Sequence, residues 1–202
     1  VTAGIEELRS RGLPATVFVA PGFLGGKSFW WDQFADADTH RNERLRERAL
    51  VDGQGLAEKV TGLAHDTGSF SHQVPAHARC CSNQHLTSAL EYGNVTLAAH
   101  TWNHPNLTSL SDSELAAEMA QPLEWLQQFG DRALPMISYP YGLTNRRVMN
   151  AARAAGYTAA LMIDGGWITQ TNVDRFALPR LNIPAGVSRD GFVLRTSGVI
   201  QG

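Results

Sequence analysis

The stretch Leu97-Ala98-Ala99-His100-Thr101-Trp102-Asn103-His104-Pro105 decides how this chain is read. A short apolar run, readable as a buried strand, stops on one histidine and places a second four residues later. Two imidazoles at i, i+4 beyond a strand converge from one turn of backbone, a common way of supplying two ligands to a zinc-like ion. Taken alone, the pair fits either a metal site or a capped turn that holds no metal.

The flanking sequence repeats one pattern, an amphipathic helix followed by a buried strand. Upstream, Leu86 to Tyr92 reads as a short helix stopped by Gly93. Downstream, Ser111-Asp112-Ser113-Glu114 fits a capping box, and Leu115, Met119, Leu123 and Leu126 share one helical face. Pro122 is expected to kink or divide that helix. Pro135 to Tyr139 is a second strand, ending at Pro140-Tyr141-Gly142. Asn145 caps a helix from Arg146 to Ala155, and Tyr157 to Ile163 is a strand closed by Asp164-Gly165-Gly166. Phe176 to Ile183 is the last strand, and Ser188 caps a closing helix. At the other end, Thr2 caps a helix carrying Ile5 and Leu8, Gly12 ends it, and Pro14 to Ala20 is a strand closed by Pro21-Gly22. Continuous apolarity in these strands implies cover on both faces, as in a parallel sheet. A helix leading into such a strand ordinarily follows another strand, so the chain is expected to begin within a βα unit.

Repeated helix and strand in alternation predicts an α/β fold with a parallel sheet, open or closed as a barrel. In either form the active site lies beyond the carboxyl ends of the strands. Pro21, His100, Pro140-Tyr141 and Asp164 all fall at those ends.

The totals set the outer limits. With 202 residues, 43% hydrophobic and 18% charged, the chain suits one domain spanning 1–202. A net charge of −2 supplies no basic surface for nucleic acid or an anionic membrane. No run of about 18 apolar residues is present to span a bilayer. Cys80 and Cys81 are neighbours, a strained spacing for a disulfide, and read as structural or incidental thiols. Phe29-Trp30-Trp31-Asp32, after the Gly25-Gly26 hinge, is either core packing or a sugar platform. Residues 36–82 read as an irregular insertion. Within it, Glu43, Glu47, Arg44 and Arg48 form the solvated face of a helix, and His65, His72 and His77 are solvated. The first residue is Val1 rather than Met, which leaves the compartment open.

His100-Thr101-x-x-His104-Pro105 followed by Tyr139-Pro140-Tyr141-Gly142 resembles the polysaccharide deacetylase family, carbohydrate esterase family four, also called the NodB homology domain. Pro14 to Val19 resembles the strand after the family's first motif, and Gly22 to Gly26 with Phe29 to Asp32, and Leu178-Pro179-Arg180, resemble one bacterial branch of it. The resemblance implies a distorted (β/α) barrel of the polysaccharide deacetylase type, lacking its first strand. It also implies hydrolytic removal of acetyl groups from a polysaccharide, commonly from N-acetylglucosamine units. Carried over by residue, His100 and His104 are ligands of a divalent metal, zinc foremost, with cobalt, nickel or manganese as other candidates. Tyr141 contributes a backbone N–H to an oxyanion, and Pro140 fixes the turn that aims it. Trp31, Trp102, Pro140 and Leu178 are the candidate substrate contacts. The bacterial cell envelope or secretion is favoured over the cytoplasm, and nothing bears on oligomeric state.

Three departures qualify the likeness. The family's Thr-Phe-Asp-Asp motif, source of the base and a third metal ligand, is missing, and is expected just before Val1. Two histidines alone hold a divalent ion poorly, so the chain as given is expected to be impaired. Ser138 replaces an arginine that often orients the base, a role reassigned here to Arg180. The late leucine-x-histidine motif, the usual general acid, appears only as Leu178-Pro179-Arg180, and a guanidinium is a poor proton donor. The acid is therefore expected upstream of Val1, with His65, His72, His77 and His85 as weaker candidates. The competing reading is a noncatalytic carbohydrate-binding or scaffold domain on the same fold. Another metal amidohydrolase on a barrel is disfavoured by the Pro140-Tyr141 turn.

Overall fold

The computed structural model describes residues 2–33, 39–65, 74–168, 174–184 and 186–199. Five strands, β1 (Ala15–Val19), β2 (Val95–Ala99), β3 (Ala133–Ser138), β4 (Ala159–Gly165) and β5 (Leu178–Arg180), form one sheet in chain order. Every neighbouring pair is parallel. The sheet curls into a half-barrel, as the alternation of helix and strand predicts. β1 and β2 pair without a slip from Ala15 opposite Val95 to Val19 opposite Ala99, so the two strands end level. The His100 N–H then donates to the Val19 carbonyl at 2.8 Å, continuing the ladder one residue into the histidine turn.

Helices cover the sheet and explain its apolar strands. α1 (Thr2–Ser10) buries Ile5 against Ala89 and Val95. α4 (Asn83–Leu90) starts at Ser82, whose hydroxyl accepts from the His85 N–H, and seats Leu86 in the main core. α5 (Asp112–Leu126) carries the complete capping box, with Ser111 and Glu114 satisfying each other's backbone N–H groups. α6 (Arg146–Ala155) is capped by Asn145 and stops at Gly156, whose φ of 103° suits a residue without a side chain. α7 (Arg189–Thr196) closes the described chain behind Ser188. Between α5, α6 and the sheet, Leu97, Leu107, Met119, Ile137, Val148 and Ala160 are wholly buried.

Two expectations change. Pro122 does not divide α5: it lies buried within one continuous helix, and the hydrogen bond it cannot donate is lost while packing on the core is gained. Residues 36–82 are not simply irregular. They hold α2 (Thr39–Val51) and α3 (Ala57–His65), followed by a 3₁₀ turn at Ala76–Ala78. Leu45 and Ala49, one turn apart on α2, are buried, and Ala49 packs with Val60 of α3 and Trp30. So narrow an apolar stripe is easily hidden among arginines and glutamates. Glu43, Arg44, Glu47 and Arg48 face solvent as expected. His72 lies outside the described residues.

Candidate active site

The carboxyl ends of the strands surround a cavity of about 520 Å³ lined by Trp30, Trp31, Arg46, His100, His104, Tyr139, Tyr141, Ile163 and Arg180. Its floor is the histidine turn. Thr101 has φ 62° and His104 φ 54°, both left-handed, which is uncommon for residues with a side chain and more so for a β-branched one. Local bonds hold this backbone. The buried Thr101 hydroxyl donates to the His100 carbonyl at 2.6 Å and accepts from the His104 N–H at 3.0 Å. The Trp102 and Asn103 N–H groups are taken by the carboxylate of Glu118, which reaches across from α5.

The turn brings His100 Nε2 and His104 Nε2 to 3.0 Å from each other. His100 Nδ1 is 2.6 Å from the Ser138 carbonyl oxygen. A carbonyl only accepts, so the neutral ring carries its proton on Nδ1 and offers the Nε2 lone pair inward. His104 Nδ1 is buried without a hydrogen-bond partner. The protein alone therefore leaves this pair's hydrogen bonding incomplete. Two nitrogens each about 2.0–2.1 Å from one tetrahedral ion stand roughly 3.3 Å apart, so a small adjustment makes both Nε2 atoms ligands. Among the described residues no group of three His, Cys, Asp or Glu side chains converges to complete such a site. The electrostatics favour lone pairs over protons. Burial, opposed by the Ser138 hydrogen bond and aided by the Arg180 guanidinium, lowers the His100 pKa to about 4. Burial and the neighbouring His100 push His104 down as well.

The walls are aromatic. Phe23, Phe29 and Trp31 stack in series with centroids 4.3 and 4.5 Å apart, and Trp31 meets the edge of His104 at 5.2 Å. Tyr141 meets His104 from another side at 4.7 Å. Its hydroxyl accepts from Trp30 Nε1 at 2.8 Å and donates to the Gly55 carbonyl at 3.4 Å. Burial raises the Tyr141 pKa, which keeps that donor proton in place. Within the aromatic cluster Trp30 is buried and Trp31 is partly exposed, and both line the cavity. The Tyr141 backbone has φ 58° inside a 3₁₀ turn opened by Pro140. Gly142 follows at φ 69° against Ile163, where an added Cβ would collide.

His100, His104, Tyr141, Trp31 and Arg180 thus come together. Trp102, Pro140 and Leu178 do not line the cavity among the described residues. The Trp102 indole lies over Gly22, whose added Cβ would stand 3.1 Å from Trp102 Cδ1. Pro140 is buried beneath its turn, and Leu178 is half-buried opposite Leu161 at the start of β5. The β4–β5 register shifts between Leu161 and Gly165, and Arg180, opposite Gly165, is the β5 residue that lines the cavity. Sequence reasoning overlooked Arg46, Tyr139, Ile163 and Glu118. For Glu118 a signal existed, because it shares the inward face of α5 with Leu115, Met119 and Pro122.

Residues 1–160 match the family model described as polysaccharide deacetylase. The chain belongs to the polysaccharide deacetylase family. It is 23% identical over 116 residues to YxkH of Bacillus subtilis, covering 57% of this chain and 41% of that protein. With chitin deacetylase 3 of Cryptococcus neoformans it shares 28% identity over 101 residues, 48% of this chain and 24% of the other. The chain thus spans less than half the length of these relatives. Among solved structures it resembles the Streptococcus pyogenes deacetylase PplD in complex with acetate, with a TM-score of 0.61 at 17% identity. That match covers 96% of this chain and 63% of PplD. A de-N-acetylase from Aggregatibacter actinomycetemcomitans gives a TM-score of 0.59 at 14% identity over 96% of this chain and 69% of that one. At such identities the structural likeness establishes the fold. No helix among the described residues is long and apolar enough to cross a membrane.

Proposed function

We propose that this deacetylase-family protein removes acetyl groups from a polysaccharide of N-acetylglucosamine units by metal-dependent hydrolysis. The observation that carries the reading is the convergence of two neutral imidazole Nε2 atoms on the floor of an aromatic cavity. His100 and His104 are two ligands of a divalent ion, zinc foremost, which needs a third ligand such as a carboxylate to be held firmly. A divalent ion in that position supplies polarisation of the acetyl carbonyl and a water acidic enough to serve as nucleophile near neutral pH.

The chain's own residues do the rest. The Ser138 carbonyl holds His100 in the tautomer that presents Nε2. The Pro140-Tyr141 turn aims the Tyr141 N–H at the oxygen that gains charge as the amide is attacked. Arg180, half-buried at the rim, orients the carboxylate that takes the proton from the water. Trp31 offers a flat apolar face to a sugar ring, and Arg46 lines the opposite wall from α2. Secretion or an envelope location fits a polymer of this kind.

Acetate release from N-acetylglucosamine oligomers tests the reading. In a protein that also carries the third, carboxylate ligand, release is expected with zinc, cobalt or nickel supplied, and its loss in His100→Ala. Oligomer binding without acetate release under any of the three metals would instead identify a noncatalytic carbohydrate-binding domain.

A further inference from the structure

Glu118 is a buried carboxylate on a helix face that is otherwise apolar. Burying a charge costs several kcal/mol unless donors replace its water, so its place among Leu115, Met119 and Pro122 needs a compensating contact. The contact is specific. Oε2 accepts from the Trp102 N–H at 2.7 Å and from the Asn103 N–H at 2.9 Å, while Oε1 accepts from Asn103 Nδ2 at 2.9 Å. These donors are the two residues lying between Thr101 and His104. The Trp102 and Asn103 N–H groups converge on one carboxylate oxygen, a small concavity that favours an anion. Glu118 is the anion that fills it.

We infer that Glu118 is the positioning residue of the histidine turn, holding Trp102 and Asn103 so that His100 and His104 present their Nε2 atoms together. The inference rests on the reading of those histidines as the metal-holding pair. Without the carboxylate, two main-chain N–H groups face α5 with no acceptor, and the left-handed backbone at Thr101 and His104 loses its external brace. Relaxation of either residue toward ordinary backbone angles swings the imidazoles apart. Glu118 does not line the cavity and acts through its contacts with Trp102 and Asn103.

Reach and charge are separable. Glu118→Gln keeps the reach: its carbonyl takes both main-chain donors, and its amide meets Asn103 once the Asn103 amide turns over. Glu118→Asp keeps the charge but withdraws the oxygens by one methylene. Leu123→Ala, at a half-buried position on the same helix, controls for loss of packing. Cobalt affinity, followed by visible absorption of the purified protein, is expected to fall 10- to 100-fold in Glu118→Asp. It is expected to stay within about threefold of the parent in Glu118→Gln and Leu123→Ala. Unchanged affinity in Glu118→Asp, or a loss in Gln equal to that in Asp, overturns the inference. A parent that shows no cobalt absorption lacks the third ligand a stable site needs. Hydrogen exchange at the Trp102 and Asn103 amides then decides positioning: exchange at least about tenfold faster in Glu118→Asp, but not in Leu123→Ala, upholds it. Exchange unchanged in Glu118→Asp overturns it.

Discussion

Acidification should unfold the metal-free protein through its histidine pair. The perturbation is a change from pH 7 to pH 5, above the range where most carboxylates titrate. His100 has a pKa of about 4 when folded against an ordinary value of 6.5. Because the folded value is depressed, the unfolded chain binds more protons below pH 6.5, and stability falls as pH drops from about 6.5 toward 4. The full shift corresponds to about 3 kcal/mol, of which about 2 kcal/mol is already lost at pH 5. His104, also held below its ordinary value, adds a loss of the same sign. Urea unfolding with chelator at pH 7, 6 and 5 measures the slope, and His100→Asn isolates the first histidine. The variant should decline by about 2 kcal/mol less than the parent over the same interval. A parent curve that is flat between pH 7 and 5, or a variant that declines as steeply, would refute the claim that burial keeps His100 neutral.

Because both imidazoles are already neutral, cobalt affinity should change by no more than about threefold between pH 6.0 and 7.5, whereas an unshifted pair would show a loss of over tenfold by titration. Trp30→Phe removes the donor to the Tyr141 hydroxyl, and denaturant unfolding should register a loss of about 1 kcal/mol. Gly142→Ala meets both a φ of 69° and the Ile163 side chain, and is expected to cost about 2 kcal/mol or more with a matching fall in acetate release. Arg147→Met takes a guanidinium from the Leu107, Thr108 and Leu110 carbonyls and from Asp112, and should lower the unfolding free energy by about 1–3 kcal/mol.

Much of this architecture is legible from pattern alone, for identifiable reasons. Ser111 with Glu114, and Asn145 with Gly156, announce helix ends through local hydrogen bonding, and the structure has those ends. Buried parallel strands show as unbroken apolar runs, so β1, β2 and β3 are found to within a residue or two of their bounds. The histidine pair is visible because both imidazoles come from one turn. What stays hidden depends on contacts distant in sequence. Arg46 sits on a helix that looks merely solvated until Trp30 is seen to pack beneath it. Trp102 reads as a sugar contact because it lies between the histidines, yet the turn's left-handed backbone sends its indole over Gly22. Arg180 lines the cavity as expected of it, whereas Leu178 does not, a difference no single-strand pattern records.

The bond from His100 to Ser138 reaches a main-chain oxygen, which every residue type at position 138 would possess. Substitution there leaves the acceptor in place, so a different side chain at position 138 does not by itself remove the bond that orients the imidazole. The histidine turn is therefore protected unequally against sequence drift. On the β3 side its orientation is written into the backbone, while on the α5 side it depends on one replaceable side chain. Random variation should accordingly damage the pair far more often from position 118 than from position 138.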